Sequence, residues 1–540
     1  MRVDDAIKLS IDNVLKEGLT DVDIFSRPFE LNMLKNKEIK NRIISEIERS
    51  FQGNDLKSLG ITPIAHLLVP KKELFDFRKC ALVQPLDELK YLSLVLQIAE
   101  DIESMRINKN KKIVFSYRFK PQNGYLFDPK FNYTTFREYV SKKAKQKNVK
   151  VMVSCDIGNF YDRLNLHRLE SILRSNKKID SDVVHKIGEI LSFWSNRDSY
   201  GLPVGSNASR ILAEASLIEV DNYLVSKKVT FCRFVDDYRI FAKDSATAHY
   251  WLSLLVDKLN QEGLFLNTSK TRIKDVTETE NYYKAHAEDS EDPLENSQTK
   301  IGEDASLGSK FNTPKIIRGY SGLIPTKFRK QTDSEKSRLL KNDIKELYRN
   351  IENSVLIDPK AFVEVIKTAI AQEDAGYLVT LVKRLDRFPQ FLPYILDAIT
   401  KYEVLFSDEH VQILTDELKG WLGKESFSEY IFVYLIRFFG FGRFTNKEIL
   451  LEYFRALKTN PGNYTGRAVL EELEKSVSSE EVLEIRDYYA MADAWEKREI
   501  AKIVEAHIKD EEKQSFFKNI LDEDNDIFLS GINKTRRKRK

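Results

Sequence analysis

The sequence predicts an α+β protein in which a small antiparallel sheet with helices on one face, close to the split βαβ arrangement, is followed by an all-α region. Three observations carry this expectation. Apolar residues alternate in short runs between 148 and 275, helix-period runs separate those strands, and beyond about 330 every patterned segment has helical spacing. At 540 residues the chain is too long for one core, and domains of roughly 100 to 200 residues imply about three or four units. Hydrophobic residues at 42%, charged residues at 31%, and only 21 Gly and 14 Pro exclude collagen-like, low-complexity and wholly disordered chains.

Taken in order, residues 1–60 mix charges with scattered apolar positions and are expected to form an N-terminal segment of short helices. From 61 to 150 the chain is basic and partly extended, through PKKELFDFRK, RINKNKKIVFSYRFK and SKKAKQKNVK. Any one basic run is more often a solvated face than a binding site. VKVMVSCDI then reads as a strand ending at Asp156, FYDRLNLHRLESILR as a helix, and ASRILAEASLIEVDNYL as a long apolar helix. VTFCRFV and YRIFA are strands with Asp236 and Asp237 on their connection. SATAHYWLSLLVDKLNQEG is a helix stopped by Gly263, and LFLNTSKTRI completes the series as a strand.

The polar, acidic stretch HAEDSEDPLENSQTKIGEDASLGSK marks a linker or insertion, taken as 286–330. Beyond it, 331–530 is expected to be helical: Leu340, Ile344, Leu347, Tyr348 and Ile351 repeat at helix spacing, and Pro359 after Asp358 marks a first turn. Thr445–Glu448 and Ser478–Glu481 fit capping boxes. Segments of about 12 to 18 residues recurring roughly every 20 suggest HEAT-like stacked helix pairs. A basic tail, 531–540, ends in KTRRKRK and is expected to be disordered.

Cys80, Cys155 and Cys232 form no CxxC pair and are too few for a disulfide framework or a zinc cage, so a reducing, cytoplasmic location is expected. No export signal is visible in MRVDDAIKLSIDNV, and the longest apolar run, Tyr430 to Ile436, stops at Arg437, far short of a membrane span. Net charge is only +3, so composition by itself does not announce a nucleic-acid binder.

The chemistry concentrates in three carboxylates: Asp156 at a strand end, and Asp236 with Asp237 on a turn. An adjacent acidic pair is by itself more often a turn or a cap. Joined by a third carboxylate from a neighbouring strand, however, the like charges repel and a divalent cation is the natural compensation. Asp156 and Asp236, with the backbone carbonyl of Ile157, could bridge two Mg²⁺ ions about 4 Å apart, as in-line phosphoryl transfer requires, with Mn²⁺ as the alternative. Asp237 would shape the turn and add charge.

SCDIGNFYDRL, GLPVGSNASRILAE, RFVDDYRIF and LNTSKT resemble, in order and spacing, the palm motifs of reverse transcriptases. VPKKELFDFRK and FSYRFKP resemble the fingers motifs of bacterial reverse transcriptases related to group II intron enzymes, so the resemblance covers about 65–275. It implies a right-hand polymerase fold with fingers and palm at 61–285, and it makes Asp156, Asp236 and Asp237 the catalytic carboxylates. Tyr161 would exclude a ribose 2′-hydroxyl, and Gly201 and Gly205 would let the backbone approach nucleotide and template. Val204 stands where many of these enzymes carry Gln. Lys71, Lys72 and Arg78 would hold the triphosphate, with Arg118 assisting. Lys270 would sit near the leaving pyrophosphate as a general acid.

The implied activity is RNA-directed DNA polymerisation, with deoxynucleotides, an RNA template and a DNA product as partners. A reverse transcriptase followed by some 200 helical residues resembles the abortive-infection and defence-associated bacterial enzymes. That resemblance implies antiphage defence, a dedicated noncoding RNA or a protein primer, and a homo-oligomer. A polymerase-fold RNA-binding scaffold without catalysis, or a retron- or intron-type enzyme, is the alternative.

Overall fold

The computed structural model describes residues 1–53, 55–71, 77–277, 326–352, 359–387, 389–424, 427–459, 464–524 and 526–537. Lys72, the expected linker as far as residue 325, Asp358 and the last three residues of the basic tail lie outside them. The described residues fall into two compact units, one built on 1–66 and 80–277, the other on 67–71, 77–79 and 326–537. Among the described residues no helix is long and apolar enough to cross a membrane.

In the first unit, α1 (Val3–Glu17), α2 (Glu30–Met33), α3 (Lys37–Ser50) and α4 (Leu56–Leu59) precede a hairpin of β1 (Ala65–Pro70) and β2 (Phe77–Leu82), whose residues 67–70 and 77–79 group with the second unit. Helix α5 (Pro85–Met105) is buried almost all round, as a helix hydrophobic on every side must be, and packs on α1 and α3. A second hairpin, β3 (Phe119–Gln122) and β4 (Tyr125–Phe127), leads through α6 (Tyr133–Ala144) into β5 (Val151–Asp156). Then come α7 (Phe160–Arg163), α8 (Leu166–Ser175), α9 (Ser181–Trp194), α10 (Asn207–Ser216) and α11 (Ile218–Ser226). The strands β6 (Phe231–Phe234) and β7 (Asp237–Ala242), α12 (Ser245–Gln261) and β8 (Arg272–Asp275) complete the unit. The sheet order is β6-β7-β5-β8, with every pair antiparallel. Strands β5 and β6 therefore run parallel on either side of β7, which is the split βαβ arrangement.

Four expectations need correction. Helices lie on both faces of the sheet: Arg239 stacks on Phe136 of α6, while the neighbouring Tyr238 donates to Asp221 of α11 at 3.3 Å, and adjacent strand residues point to opposite faces. The helix expected after Asp156 is two, because Leu164 is extended and the Asn165 side chain accepts from Arg168 N to start α8. The long apolar helix is also two, broken at Leu217 (φ −95°, ψ 0°). The last strand begins only at Arg272, since Asn267 accepts from both the Ser269 amide and hydroxyl and curls 267–271 into a turn. The Gly263 stop is present, at φ +77°.

The second unit is helical: α13 (Asp333–Leu339), α14 (Ile344–Glu352), α15 (Pro359–Ala371), α16 (Ala375–Val382), α17 (Leu392–Lys401), α18 (Asp408–Lys419), α19 (Glu429–Phe439), α20 (Lys447–Leu457), α21 (Tyr464–Leu473), α22 (Ser479–Asp487), α23 (Ala494–His507), α24 (Asp510–Glu523) and α25 (Ile527–Arg537). Helices pack on their next-but-one neighbours along α17, α19, α21, α23 and α25. Ion pairs bridge the same kind of joint: Glu335–Lys367, Glu352–Arg384 and Arg467–Glu499 each span 32 residues. A pair of helices thus repeats near 32 residues, about 16 per helix, closer than the spacing of 20 read from the sequence. The Ser478–Glu481 capping box forms, whereas the other start is capped by Asn446, one residue beyond the expected Thr445. Helix α25 runs to Arg537, so the basic tail begins as helical backbone.

Candidate active site

Strand β5 delivers Asp156 to the same level as Asp237, its direct partner across the β5–β7 ladder. One residue on, Ile157 N–H donates to the Asp236 carbonyl at 3.2 Å, so Asp156, Ile157, Asp236 and Asp237 share one end of the sheet. Cross-strand partners point to the same face. The Asp156 backbone carbonyl accepts from Asn267 N at 2.7 Å, and the turn so anchored brings Lys270 Nζ to 3.5 Å from Asp156 Oδ2. Lys270 itself is 62% exposed. Asp237 is paired with Arg239 of its own strand. Beneath these groups Cys155 is inert, because burial pushes its thiol up to about 12.

The segment after Asp156 is fastened to the glycine-rich loop. Leu202 N donates to the Tyr161 carbonyl and Gly201 N to that of Leu164, both at 2.9 Å. Tyr161 lies in α7 with its ring edge-on to Phe160, and is 7% exposed. Gly201 and Gly205 take φ values of +104° and +117°, which glycine alone adopts readily. A Cβ on Gly205 would also run into the hydroxyl of Thr20, so the open side of that residue faces this chain's own N-terminal turn. Arg210 of α10 pairs with Asp21 in the same turn, and Asn207 donates to Asn13 and Glu17 of α1 at 2.9 and 3.0 Å. Residues 13–21 are therefore a wall of the glycine loop, which sequence reading left without a role.

Residues 90–289 match the family model described as "Reverse transcriptase (RNA-dependent DNA polymerase)", and Asp156, Asp236 and Asp237 lie within them. The chain carries a reverse transcriptase domain. Among solved structures it is similar to apo telomerase from Candida tropicalis truncated from its C-terminal domain, with 15% identity over 45% of this chain and 61% of that one, at a TM-score of 0.29. It is also similar to telomerase from Candida albicans in complex with a TWJ fragment of telomeric RNA, with 12% identity over 69% of this chain and 65% of that one, at 0.30. The chain thus spans less than two thirds of the length of either structure. No curated protein matches it.

Within the reverse transcriptase domain Arg118 does not face a nucleotide. Its side chain is 1% exposed, with Nη2 donating to the Ile107 carbonyl at 2.9 Å and lying 2.7 Å from Glu103 Oε1. Burial beside Arg106 holds its guanidinium down to about 10, still cationic at neutral pH. Arg118 belongs to a buried set of three guanidiniums, Arg106, Arg118 and Arg233, and three carboxylates, Glu103, Glu214 and Asp221. The charges balance, as burial demands. A lone Arg in FCRFV and a lone Glu in ILAEAS, each within a short apolar run, were the signal for this set. Lys71 follows β1 and Arg78 lies within β2, both in the stretch that groups with the second unit.

The donors at the sheet end are all oxygen: three carboxylates and the Ile157 carbonyl. That chemistry suits a hard cation such as Mg²⁺ or Mn²⁺. Among the described residues no three acidic, His or Cys side chains are already gathered as a ready chelate, and two of these carboxylates are turned to Lys270 and Arg239. Asp156, Ile157, Asp236 and Asp237 would hold the ion, with Lys270 giving way.

A buried carboxyl also lies under the glycine loop. Ser206, the N-cap of α10, donates to Glu88 Oε1 at 2.6 Å, and burial pushes the Glu88 carboxyl up from 4.5 to about 8. Between those two values the folded chain keeps a proton that the unfolded chain has released, so stability falls as pH rises from about 4.5 to about 8. Glu88→Gln keeps the shape without the ionisation. Thermal melts at pH 5 and pH 8.5 should show the parent losing about 5 °C more than this variant. Equal losses would mean that Glu88 does not hold that proton.

Proposed function

We propose that the protein is an RNA-directed DNA polymerase that joins deoxynucleotides on an RNA template to give a DNA product. The observation that carries this reading is the register of Asp156 against Asp237, with Asp236 tied to the residue after Asp156. Two Mg²⁺ ions, or Mn²⁺, bound by Asp156, Asp236, Asp237 and the Ile157 carbonyl would activate the primer hydroxyl and neutralise charge at the reacting phosphate. Lys270, exposed and already close to Asp156, would carry a proton to the leaving pyrophosphate. Lys71, Lys72 and Arg78 would hold the triphosphate through charge-assisted hydrogen bonds.

Tyr161 would close the pocket against a 2′-hydroxyl, its position set by the bond from the Leu202 amide. Tyr161→Ala should therefore raise ribonucleotide incorporation relative to deoxynucleotide by about 100-fold, with deoxynucleotide kcat/KM falling less than about tenfold. Competition between paired dNTP and rNTP substrates measures it. An unchanged ratio would remove Tyr161 from the sugar site.

The direct test is to supply purified protein with Mg²⁺ and labelled deoxynucleotides on RNA and on DNA templates. Absence of labelled polymer under every template would favour a scaffold instead. The wider setting follows from the sequence resemblance: a bacterial antiphage enzyme working in the cytoplasm as a homo-oligomer, with a dedicated noncoding RNA or a protein primer. The packing of alternate helices supports HEAT-like stacking in the second unit. Sequencing the nucleic acid that copurifies would identify template and product together, and random cellular RNA there would count against a dedicated template.

A further inference from the structure

We propose that Ser116, Glu214 and Arg233 are positioning residues, which hold Asp236 in its cation-binding place by clamping the strained residue before it. The proposal rests on the polymerase reading above and deepens it. Val235 has φ +54°, the left-handed region, in which a β-branched side chain crowds the neighbouring backbone. Such conformations persist only where the surroundings over-determine them.

Here both peptide groups of Val235 are gripped. Its N–H donates to Ser116 Oγ at 2.8 Å, and its carbonyl accepts from Arg233 Nη1 at 3.0 Å. The single proton of the Ser116 hydroxyl goes to Glu214 Oε1, which leaves the Ser116 lone pairs facing Val235. Glu214 Oε2 accepts from Arg106 Nη2 at 2.6 Å and lies 2.9 Å from Arg233 Nη1. The other side of the Arg233 fork, Nε and Nη2, donates to Asp221 at 2.8 and 2.7 Å. Ser116 reaches this point because residues 113–115 run beside β6, with Arg233 N donating to the Ile113 carbonyl at 2.8 Å and Phe115 N to that of Arg233 at 3.0 Å. The network is buried, and it grips Val235 through the backbone N–H and carbonyl of that residue.

Removal of the Ser116 hydroxyl leaves the Val235 N–H without its acceptor, and the residue should relax towards negative φ, turning Asp236 away from Asp156. Glycine adopts positive φ without strain, so Val235→Gly should make the clamp dispensable. A residue that merely supports the fold would show no such suppression.

The test uses the full chain. Mn²⁺ binding to the protein alone is read from the electron paramagnetic resonance of the free ion, beside deoxynucleotide incorporation as a function of Mg²⁺. Ser116→Ala should weaken Mn²⁺ binding about tenfold and raise the Mg²⁺ half-saturation by a similar factor, with the deoxynucleotide KM changed less than about twofold. The Ser116→Ala, Val235→Gly double variant should recover to within about threefold of the parent. Unchanged Mn²⁺ affinity in Ser116→Ala, or a double variant no better than the single, would overturn the clamp. Should Ser116→Ala not fold, Ser116→Cys, a weaker acceptor at the same point, must show the same direction of change or the idea fails.

The two readings fail separately. A parent that polymerises while Ser116→Ala behaves like it sinks the clamp and leaves the polymerase. A parent that binds Mn²⁺ through Asp236, responds to Ser116→Ala, and makes no DNA sinks the polymerase and leaves the clamp. A parent that binds no Mn²⁺ overturns the clamp.

Discussion

Asp236→Asn is expected to cut deoxynucleotide incorporation by about three orders of magnitude or more, with no loss of fold. The amide has the shape of the carboxylate but not its charge, and the reaction needs that charge to hold a cation against the substrate phosphates. The backbone at this point is fixed independently of the side chain, through the Asp236 carbonyl to Ile157 N and through the bonds that grip Val235. Stability should move the other way. Three carboxylates crowd one end of the sheet, so removing one charge relieves repulsion and the melting temperature without metal should stay level or rise by about 2 °C. Single-turnover extension beside a thermal melt reads both effects. A variant that keeps more than a tenth of the parent rate would show that Asp236 is not the carboxylate that matters.

The largest effect on stability is expected from Asp221→Ala. Arg233 has no exposure to solvent and spends two of its nitrogens on Asp221, which also accepts from Tyr238. Deleting the acid leaves a buried guanidinium short of its main counter-charge. Breaking such a pair from one side costs about 3–5 kcal/mol, because the desolvation of the survivor is no longer offset. Arg338 with Glu364 in the second unit makes a bond as short, 2.6 Å, but Arg338 is more than half exposed. Arg338→Ala should cost under about 1 kcal/mol. Denaturant unfolding of the two variants tests the contrast, and equal effects would mean that the Arg233 cluster is not the support the distances imply.

Local structure was legible wherever the signal is short-range. The strand that ends at Asp156, the two strands flanking the acidic turn, the glycine stop at 263 and the Ser478 capping box all depend on residues within one turn or one strand of each other. Failures came where a distant group intervened or a side chain competed with the backbone. Asn165 and Asn267 diverted extended or helical runs into caps and turns. Arg118 read as a helper at the triphosphate because FSYRFKP resembles a fingers motif; its partner Glu103 is 15 residues away, across the end of α5. Gly205 read as an opening for substrate, yet Thr20, far upstream, occupies the space beside it.

By itself the sequence determined the candidates for the chemistry: residue type and local placement pick out three acids at the ends and turns of strands, and the resemblance of the surrounding motifs adds a lysine on a following turn and a tyrosine after the first acid. Residue type and short motifs are enough for that, since both are local. Only the tertiary structure decided that Asp156 lies opposite Asp237, that Val235 is held left-handed by Ser116 from 119 residues away, and that the N-terminal turn walls the glycine loop. Those are pairings between segments whose separation no periodicity encodes; the last of them exists because burying the apolar faces of α1 and α10 against α5 brings their polar residues into the same space.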